Sequence, residues 1–228
     1  MMGAVLIIPA LNEAAAIGQV IAQVPAGLFE RIIVVDNGST DGTAAAARAA
    51  GAEIVAQPSR GYGHACWAGV QAAGAAEILA FLDGDGSFNP TELPRILAPL
   101  LEDRADLVLG SRELGGAVAA LLPHQRLGNR LVAALVRRLY RIHVTDVGPM
   151  RAIRRTTLES LAMTERTYGW TTEMVVKAAR RQARVIEVPI SYGPRLGGES
   201  KVSGTLRGTV LTGYRMLALT LKYSISKG

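Results

Sequence analysis

The chain has 228 residues, 49% of them hydrophobic and 19% charged, which supports a folded core and excludes disorder over the whole length. Its 25 Lys and Arg outnumber 19 Asp and Glu, giving a basic surface suited to anionic partners. The basic residues are scattered and aromatics are only 5%, which argues against nucleic acid, and the single cysteine, Cys66, excludes an internal disulfide or a cysteine-rich metal site.

Ala4 to Ile8 reads as a short apolar strand. The stretch Met1 to Pro9 lacks a basic segment ahead of an apolar one, so no signal peptide is expected. No apolar run reaches the ~18 residues that span a bilayer. Asn12 is expected to cap a helix from about Ala14 to Val24, ahead of Pro25. Ile32 to Val35 is the second strand, and Thr40 or Asp41 starts a helix that Gly51 closes. Glu53 to Ala56 is a weak third strand. Gly61 to Gly63 forms a loop before a helix running to about Gly74, within which Cys66 reads as a packing thiol. Ile78 to Leu82 is the fourth strand, ending on Asp83. Pro90 sits in the first turn of a helix to about Leu101, where proline is tolerated. Asp106 to Leu109 is the fifth strand.

The second half is less regular. A Gly/Ala/Leu loop covers Leu114 to Pro123, and Arg126 to Ile142 is a basic amphipathic helix. Val147 to Ile153 and Val185 to Ile190 read as strands, and Trp170 to Arg181 as a helix. Pro194 to Ser203 is a polar glycine-containing loop. Thr205 to Tyr223 is a final amphipathic helix that suits either the sheet or an anionic bilayer surface. Five strands separated by helices imply an α/β fold with a mostly parallel sheet flanked by helices. With neither repeats nor a linker-like stretch, residues 1–228 read as one domain.

In open parallel sheets ligands bind beyond the carboxyl ends of the strands. Three polar clusters occupy such ends: Pro9-Ala10-Leu11-Asn12-Glu13, Asp36 to Thr43, and Asp83-Gly84-Asp85-Gly86-Ser87. Asp83 and Asp85 can share a divalent cation, or divide between ribose and metal; Mg²⁺ and Mn²⁺ take oxygen ligands and keep positions open for phosphate oxygens. In the second cluster Asp41 suits a helix cap and Asp36 or Asn37 a nucleoside hydrogen bond. Gly61-Tyr62-Gly63-His64 permits close backbone approach, but it lacks the P-loop lysine, and no dinucleotide-binding glycine signature is present. His64 reads as a hydrogen-bonded loop residue. Arg195 to Lys201 is a basic loop suited to phosphate, with Gly197 and Gly198 as hinges of a lid. Asp146 and Glu173 are the remaining carboxylates of interest; Glu173 is a candidate base if the acceptor is a hydroxyl.

These motifs resemble those of family 2 inverting glycosyltransferases with the GT-A (nucleotide-diphospho-sugar transferase) fold, and within them the dolichol-phosphate mannosyltransferase-like enzymes. The resemblance runs from Ile8-Pro9-Ala10-Leu11-Asn12-Glu13 through Val35-Asp36-Asn37-Gly38-Ser39, Gly61-Tyr62-Gly63, the acid pair, Gly110-Ser111-Arg112 and Glu187-Val188-Pro189-Ile190 to Glu199-Ser200-Lys201. It implies nucleoside contacts from Pro9, Leu11, Glu13, Val35 and Asn37, and donor and metal contacts from Asp83, Gly84 and above all Asp85. Ser87 stands where the family often has a metal-binding glutamine, and Asn37 replaces a common aspartate. Arg112, Arg195 and Lys201 are implied to bind phosphates, and Arg126 to be a second arginine for a lipid phosphate.

The resulting expectation is transfer of a hexose from a GDP- or UDP-sugar, with Mg²⁺ or Mn²⁺, to a polyprenyl phosphate, by a cytoplasmic protein lying peripherally on the inner face of the membrane. A soluble hydroxyl acceptor (a glycerate or a glycan) and a non-catalytic nucleotide-binding module are the alternatives. A nucleotidyltransferase is disfavoured, since no lysine-rich phosphate loop follows the first strand.

Overall fold

Strand β1 (Ala4–Ala10) is almost wholly buried on both faces, as an uninterrupted apolar run in the middle of a parallel sheet must be. The structure, a computed structural model, describes residues 3–116, 123–197 and 216–223. Helix α1 (Ile17–Ala22), β2 (Arg31–Asp36), α2 (Thr43–Ala49), β3 (Glu53–Ala56), α3 (Tyr62–Ala72) and β4 (Ile78–Phe81) follow in alternation. A 3₁₀ turn (Pro90–Glu92) leads into α4 (Leu93–Leu101), then β5 (Leu107–Ser111), α5 (Pro123–Tyr140), β6 (Arg151–Arg154), α6 (Arg155–Ser160), α7 (Trp170–Arg180) and β7 (Val185–Pro189). Residues 216–223 form α8.

One seven-stranded sheet runs β3-β2-β1-β4-β6-β5-β7. All its pairings are parallel except those of β6, which is antiparallel to β4 and β5, with Ala80 opposite Ala152 and Val108 opposite Ala152. Alternation along β1 divides the core: Val5 and Ile7 pack with α3, α5 and α7, while Leu6 and Ile8 pack with α1 and α4. Strand order reverses at β1, since β2 lies on one side and β4 on the other. That reversal opens a crevice beyond the carboxyl ends of β1 and β4.

The first-half elements stand where the sequence places them, with shorter helices. Asn12 does not cap α1, which begins only at Ile17; Asn12 takes a left-handed conformation (φ 52°) and serves the neighbouring loop instead. The strand expected over Val147 to Ile153 is confined to Arg151–Arg154, and Asp146 to Pro149 is an irregular segment held by side chains described below. Helix α6 carries no strong sequence signal. Of the C-terminal helix expected over 205–223, residues 216–223 are helical and the rest lies outside the described residues. Among the described residues no helix is long and apolar enough to cross a membrane.

Candidate active site

The loops after β1 and β2 are stitched together. The Asn12 amide donates to Ser39 Oγ at 3.0 Å, Asn12 Oδ1 accepts from the Thr40 amide at 2.8 Å, and the Glu13 amide donates to Thr43 Oγ1 at 2.8 Å. Asp41 accepts from the Thr43 amide and hydroxyl and from the Ala14 amide, so it ties the start of α2 to the first loop, while the N-cap position itself is Gly42 rather than the expected Asp41. Asp36 closes the turn by accepting from the Ser39 amide at 2.9 Å.

Asn37, a sequence-predicted nucleoside ligand, is buried and already engaged. Its Nδ2 donates to the carbonyls of Gln57 and Ser59, both at 2.8 Å, and its Oδ1 accepts from the Gly61 amide at 2.8 Å. Both amide protons are spent, so Asn37 shapes the wall of the crevice rather than reading a base with its side chain. The Val35 side chain is fully buried in the core, opposite Pro9 in register. Pro9, at the end of β1, and Leu11, just beyond it, are half-buried, and Glu13 is largely buried.

Asp83, Gly84 and Asp85 leave β4 at the reversal point. Asp85 is 4% exposed. Its Oδ1 accepts from the Ser87 amide at 2.9 Å and the Ser87 hydroxyl at 2.6 Å, and its Oδ2 lies 2.9 Å from Arg195 Nη2. Ser87 thus orients Asp85 through both its amide and its hydroxyl. Asp83 Oδ1 is buried without a hydrogen-bond partner. Burial, and then the neighbouring Asp85 charge, push the Asp83 carboxyl up to about 7. Two close carboxylates with an unsatisfied buried oxygen fit a divalent cation, which would satisfy that oxygen and relieve the like-charge repulsion. Among the described residues no third His, Cys, Asp or Glu completes a cluster, so a cation held here would have its remaining positions free for donor oxygens and water.

The loop after β7 closes over this pair. The Gly193 amide donates to the Ser87 carbonyl at 2.9 Å and the Leu196 amide to the Asp85 carbonyl at 3.0 Å. Gly86, at φ +75°, leaves the space that Leu196 fills, and a Cβ there would strike it. Arg195 thereby reaches both Asp85 and Glu13, the latter at 3.4 Å. Lys201 and its neighbours from 198 lie outside the described residues.

Arg112, at the end of β5, is gripped by Asp146: Nε to Oδ2 and Nη2 to Oδ1 are both 2.7 Å, and the Arg112 amide adds a bond to Oδ2 at 2.9 Å. Asp146 is fully buried, and the Arg112 guanidinium also lies 5.2 Å from the Tyr192 ring centroid. Glu187 holds the same turn by accepting from the Thr145 and Asp146 amides. This grip across 34 residues of sequence is not signalled by any local pattern; only the isolated acid Asp146 and the Gly110-Ser111-Arg112 strand end point to it. Arg126 stands half-buried on the first turn of α5.

Glu173, the candidate base, is fully buried and occupied. It accepts from the Thr164 hydroxyl (2.7 Å), the Glu165 amide (2.7 Å), the Tyr223 hydroxyl (2.7 Å) and Lys177 (2.8 Å). Burial pushes its carboxyl up, but Lys177 and the other donors outweigh it and hold the carboxyl at about 2. A carboxylate so weakly basic is a poor proton acceptor, so the structure does not support Glu173 as general base. His64 lies within α3, and Cys66 is fully buried, as a packing thiol should be.

An α/β sheet with its reversal point lined by an acid pair and guanidinium groups is the architecture of the GT-A glycosyltransferases. The family model described as "Glycosyl transferase family 2" matches residues 5–162, and the chain belongs to that family. It is 43% identical over 210 residues to an uncharacterized glycosyltransferase of Mycobacterium tuberculosis, covering 90% of this chain and 92% of the relative. It is 30% identical over 236 residues to an undecaprenyl-phosphate mannosyltransferase of Micrococcus luteus, covering 97% and 96%. Among solved structures it resembles the glucosyl-3-phosphoglycerate synthase of Mycobacterium tuberculosis in complex with Mn²⁺, UDP and glucosyl-3-phosphoglycerate, with TM-score 0.78, 26% identity, and coverage of 99% of this chain and 81% of that one. The protein is thus a glycosyltransferase, and the non-catalytic alternative is set aside.

Proposed function

We propose that this chain is a metal-dependent inverting glycosyltransferase that moves a hexose from a GDP- or UDP-sugar to a polyprenyl phosphate. The observation that carries the reading is the Asp83/Asp85 pair at the reversal point, where Asp85 is buried against the Arg195 guanidinium and Asp83 Oδ1 is buried without a partner. Asp85 and Asp83 would hold Mg²⁺ or Mn²⁺. When bound, the cation stabilises the charge that grows on the diphosphate as it leaves. Pro9, Leu11, Glu13 and Asp36 line the nucleoside end, and Arg195 with Lys201 neutralises donor phosphates. Arg112, oriented by Asp146, and Arg126 receive the acceptor phosphate. An acceptor oxygen attacks the anomeric carbon, the bond from that carbon to the diphosphate breaks, and the nucleoside diphosphate leaves with the electron pair.

A phosphate acceptor arrives already ionised, so no proton has to be removed. The fully engaged state of Glu173 supports that choice, as does the likeness to the undecaprenyl-phosphate mannosyltransferase of Micrococcus luteus. Peripheral membrane contact is supported by α5, where Leu127 and Leu131 are 71% and 52% exposed beside Arg130 and Arg138. A soluble phosphorylated hydroxyl acceptor is the second reading, favoured by the likeness to glucosyl-3-phosphoglycerate synthase.

The test is transfer of labelled hexose from GDP-mannose and from UDP-glucose, with Mn²⁺, to a short polyprenyl phosphate or to 3-phosphoglycerate. Label extracted into solvent with the polyprenol supports the reading. Label passing only to phosphoglycerate overturns it in favour of the second.

A further inference from the structure

Beyond the reacting groups, one buried carboxylate ties the end of the described chain to the wall of the crevice. Four groups of Thr164, Glu165 and Tyr223 of α8, with the Lys177 ammonium as a fifth, converge on Glu173 at distances of 2.7 to 3.1 Å. Together they fix the turn at Thr164 and Glu165. Glu165 carries the order onward, accepting from the Thr167 amide at 2.9 Å and the Thr167 hydroxyl at 2.6 Å. The resulting platform, 164–167, bears directly on the start of α3. The His64 amide donates to the Arg166 carbonyl at 2.8 Å and the Gly63 amide to the Thr167 carbonyl at 3.2 Å.

The contact is backbone on backbone. A Cβ on Gly61 would lie 2.5 Å from the Arg166 carbonyl oxygen, and one on Gly63 2.6 Å from the Arg166 carbonyl carbon. Only glycines allow this approach, and Gly61 also needs its φ of 143°. The Arg166 guanidinium then stacks 5.0 Å from the Trp67 ring on α3. From Gly61 the chain of contacts ends at Asn37, whose Oδ1 accepts the Gly61 amide inside the crevice wall.

We propose that Glu173 is a positioning residue for the donor: through the 164–167 platform it holds the Gly61–His64 segment, and with it the nucleoside wall, while Tyr223 of α8 sets the grip. This rests on the assignment of that crevice to the nucleotide. It explains why a fully buried acid sits on α7 with every approach filled by donors. It also explains why α8 docks where it does: Tyr223 meets Glu173, Leu219 covers Gly169, and the Tyr140 hydroxyl donates to the Thr220 carbonyl at 2.5 Å.

The experiment compares wild type, Glu173→Gln and Tyr223→Phe in two ways: hydrogen exchange at the Gly63 and His64 amides, and binding of UDP and GDP with Mn²⁺ by calorimetry, beside kcat and KM for the donor. Glu173→Gln is expected to speed exchange at those amides and to weaken nucleotide binding about tenfold, as the loss of one or two charge-assisted bonds implies. Tyr223→Phe should do the same by about two- to threefold, with kcat at saturating donor nearly unchanged in both. A collapse of kcat with unaltered nucleotide affinity would mark Glu173 as a chemical base and overturn the proposal. So would unchanged exchange at Gly63 and His64 in a folded variant. Should Glu173→Gln not fold, Tyr223→Phe and Thr164→Val carry the same measurements. Failure of the wild type to bind either nucleotide would defeat the proposed function instead, and the exchange data keep the two failures apart.

Discussion

Arg195 and Asp85, 110 residues apart in sequence, meet at 2.9 Å over the buried acid pair, with Glu13 at 3.4 Å on the other nitrogen of the same guanidinium. A cation on Asp85 must compete with that guanidinium for Oδ2. Arg195 therefore opposes binding of the bare ion yet favours binding of ion and diphosphate together, because the arginine can pass from carboxylate to phosphate. Arg195→Ala is expected to tighten Mn²⁺ alone by about two- to fivefold, the worth of a partly exposed ion pair. The same change should weaken the Mn²⁺ nucleotide sugar complex. Paramagnetic resonance of free Mn²⁺, with and without nucleotide, reads both; parallel movement of the two affinities would refute the exchange.

Asp85→Ala should remove transfer almost completely, by about a thousandfold or more in kcat/KM, if several kcal/mol of leaving-group stabilisation depend on the ion it holds. The protein should stay folded, because Asp85 makes its bonds to an adjacent loop serine and to Arg195 rather than within the core. Circular dichroism and a melting curve check the fold, and a transfer assay with added Mn²⁺ checks the activity. Full activity in that variant, or in wild type with EDTA, would contradict metal dependence.

What was legible in the sequence was what is local. Apolar runs of period two or without interruption located β1, β2, β4 and β5, and Asp83-Gly84-Asp85 at a strand end announced the acid pair. What was hidden is what depends on partners far along the chain. Nothing around Val147 to Ile153 tells that β6 runs antiparallel between β4 and β5, since its apolar run suits either direction. Asn37 is a good nucleoside ligand by type, but its amide is taken by Gln57, Ser59 and Gly61, and only the folded loop reveals that. Glu173 has the residue type of a base and the burial of a structural anchor, and Thr164, Lys177 and Tyr223 decide between them.

Asp83 gives the site a pH dependence of defined sign. Its folded carboxyl titrates at about 7, above the unfolded value near ~4, so the native state holds its proton more tightly than the unfolded chain. Its contribution to stability is therefore full below about pH 4 and is lost as pH rises towards and through 7. Cation binding runs the other way, because the ion needs the ionised form, so Mn²⁺ affinity should climb between pH 6 and 8. Asp83→Asn should melt higher than wild type at pH 8, show a smaller gain at pH 5, and lose the rise in Mn²⁺ affinity. A wild-type affinity that is flat across this window would place the titration elsewhere.

Asp146 tests the other side of the crevice. It is fully buried and bonded three ways to Arg112, whose own side chain is mostly enclosed. Removing one partner of a buried ion pair leaves the other charge stranded, at a cost of about 3–5 kcal/mol. For a chain of this size that corresponds to a fall in Tm of about 6–20 °C for Asp146→Ala. Arg112→Lys keeps the charge but loses the two-pronged contact and the stacking on Tyr192, so its stability loss should be smaller. If Arg112 also receives the acceptor phosphate, that milder variant should raise KM for the acceptor much more than KM for the donor. Scanning calorimetry on the first variant and acceptor titrations on the second measure these effects. A donor KM that rises as much as the acceptor KM would assign Arg112 to the diphosphate instead.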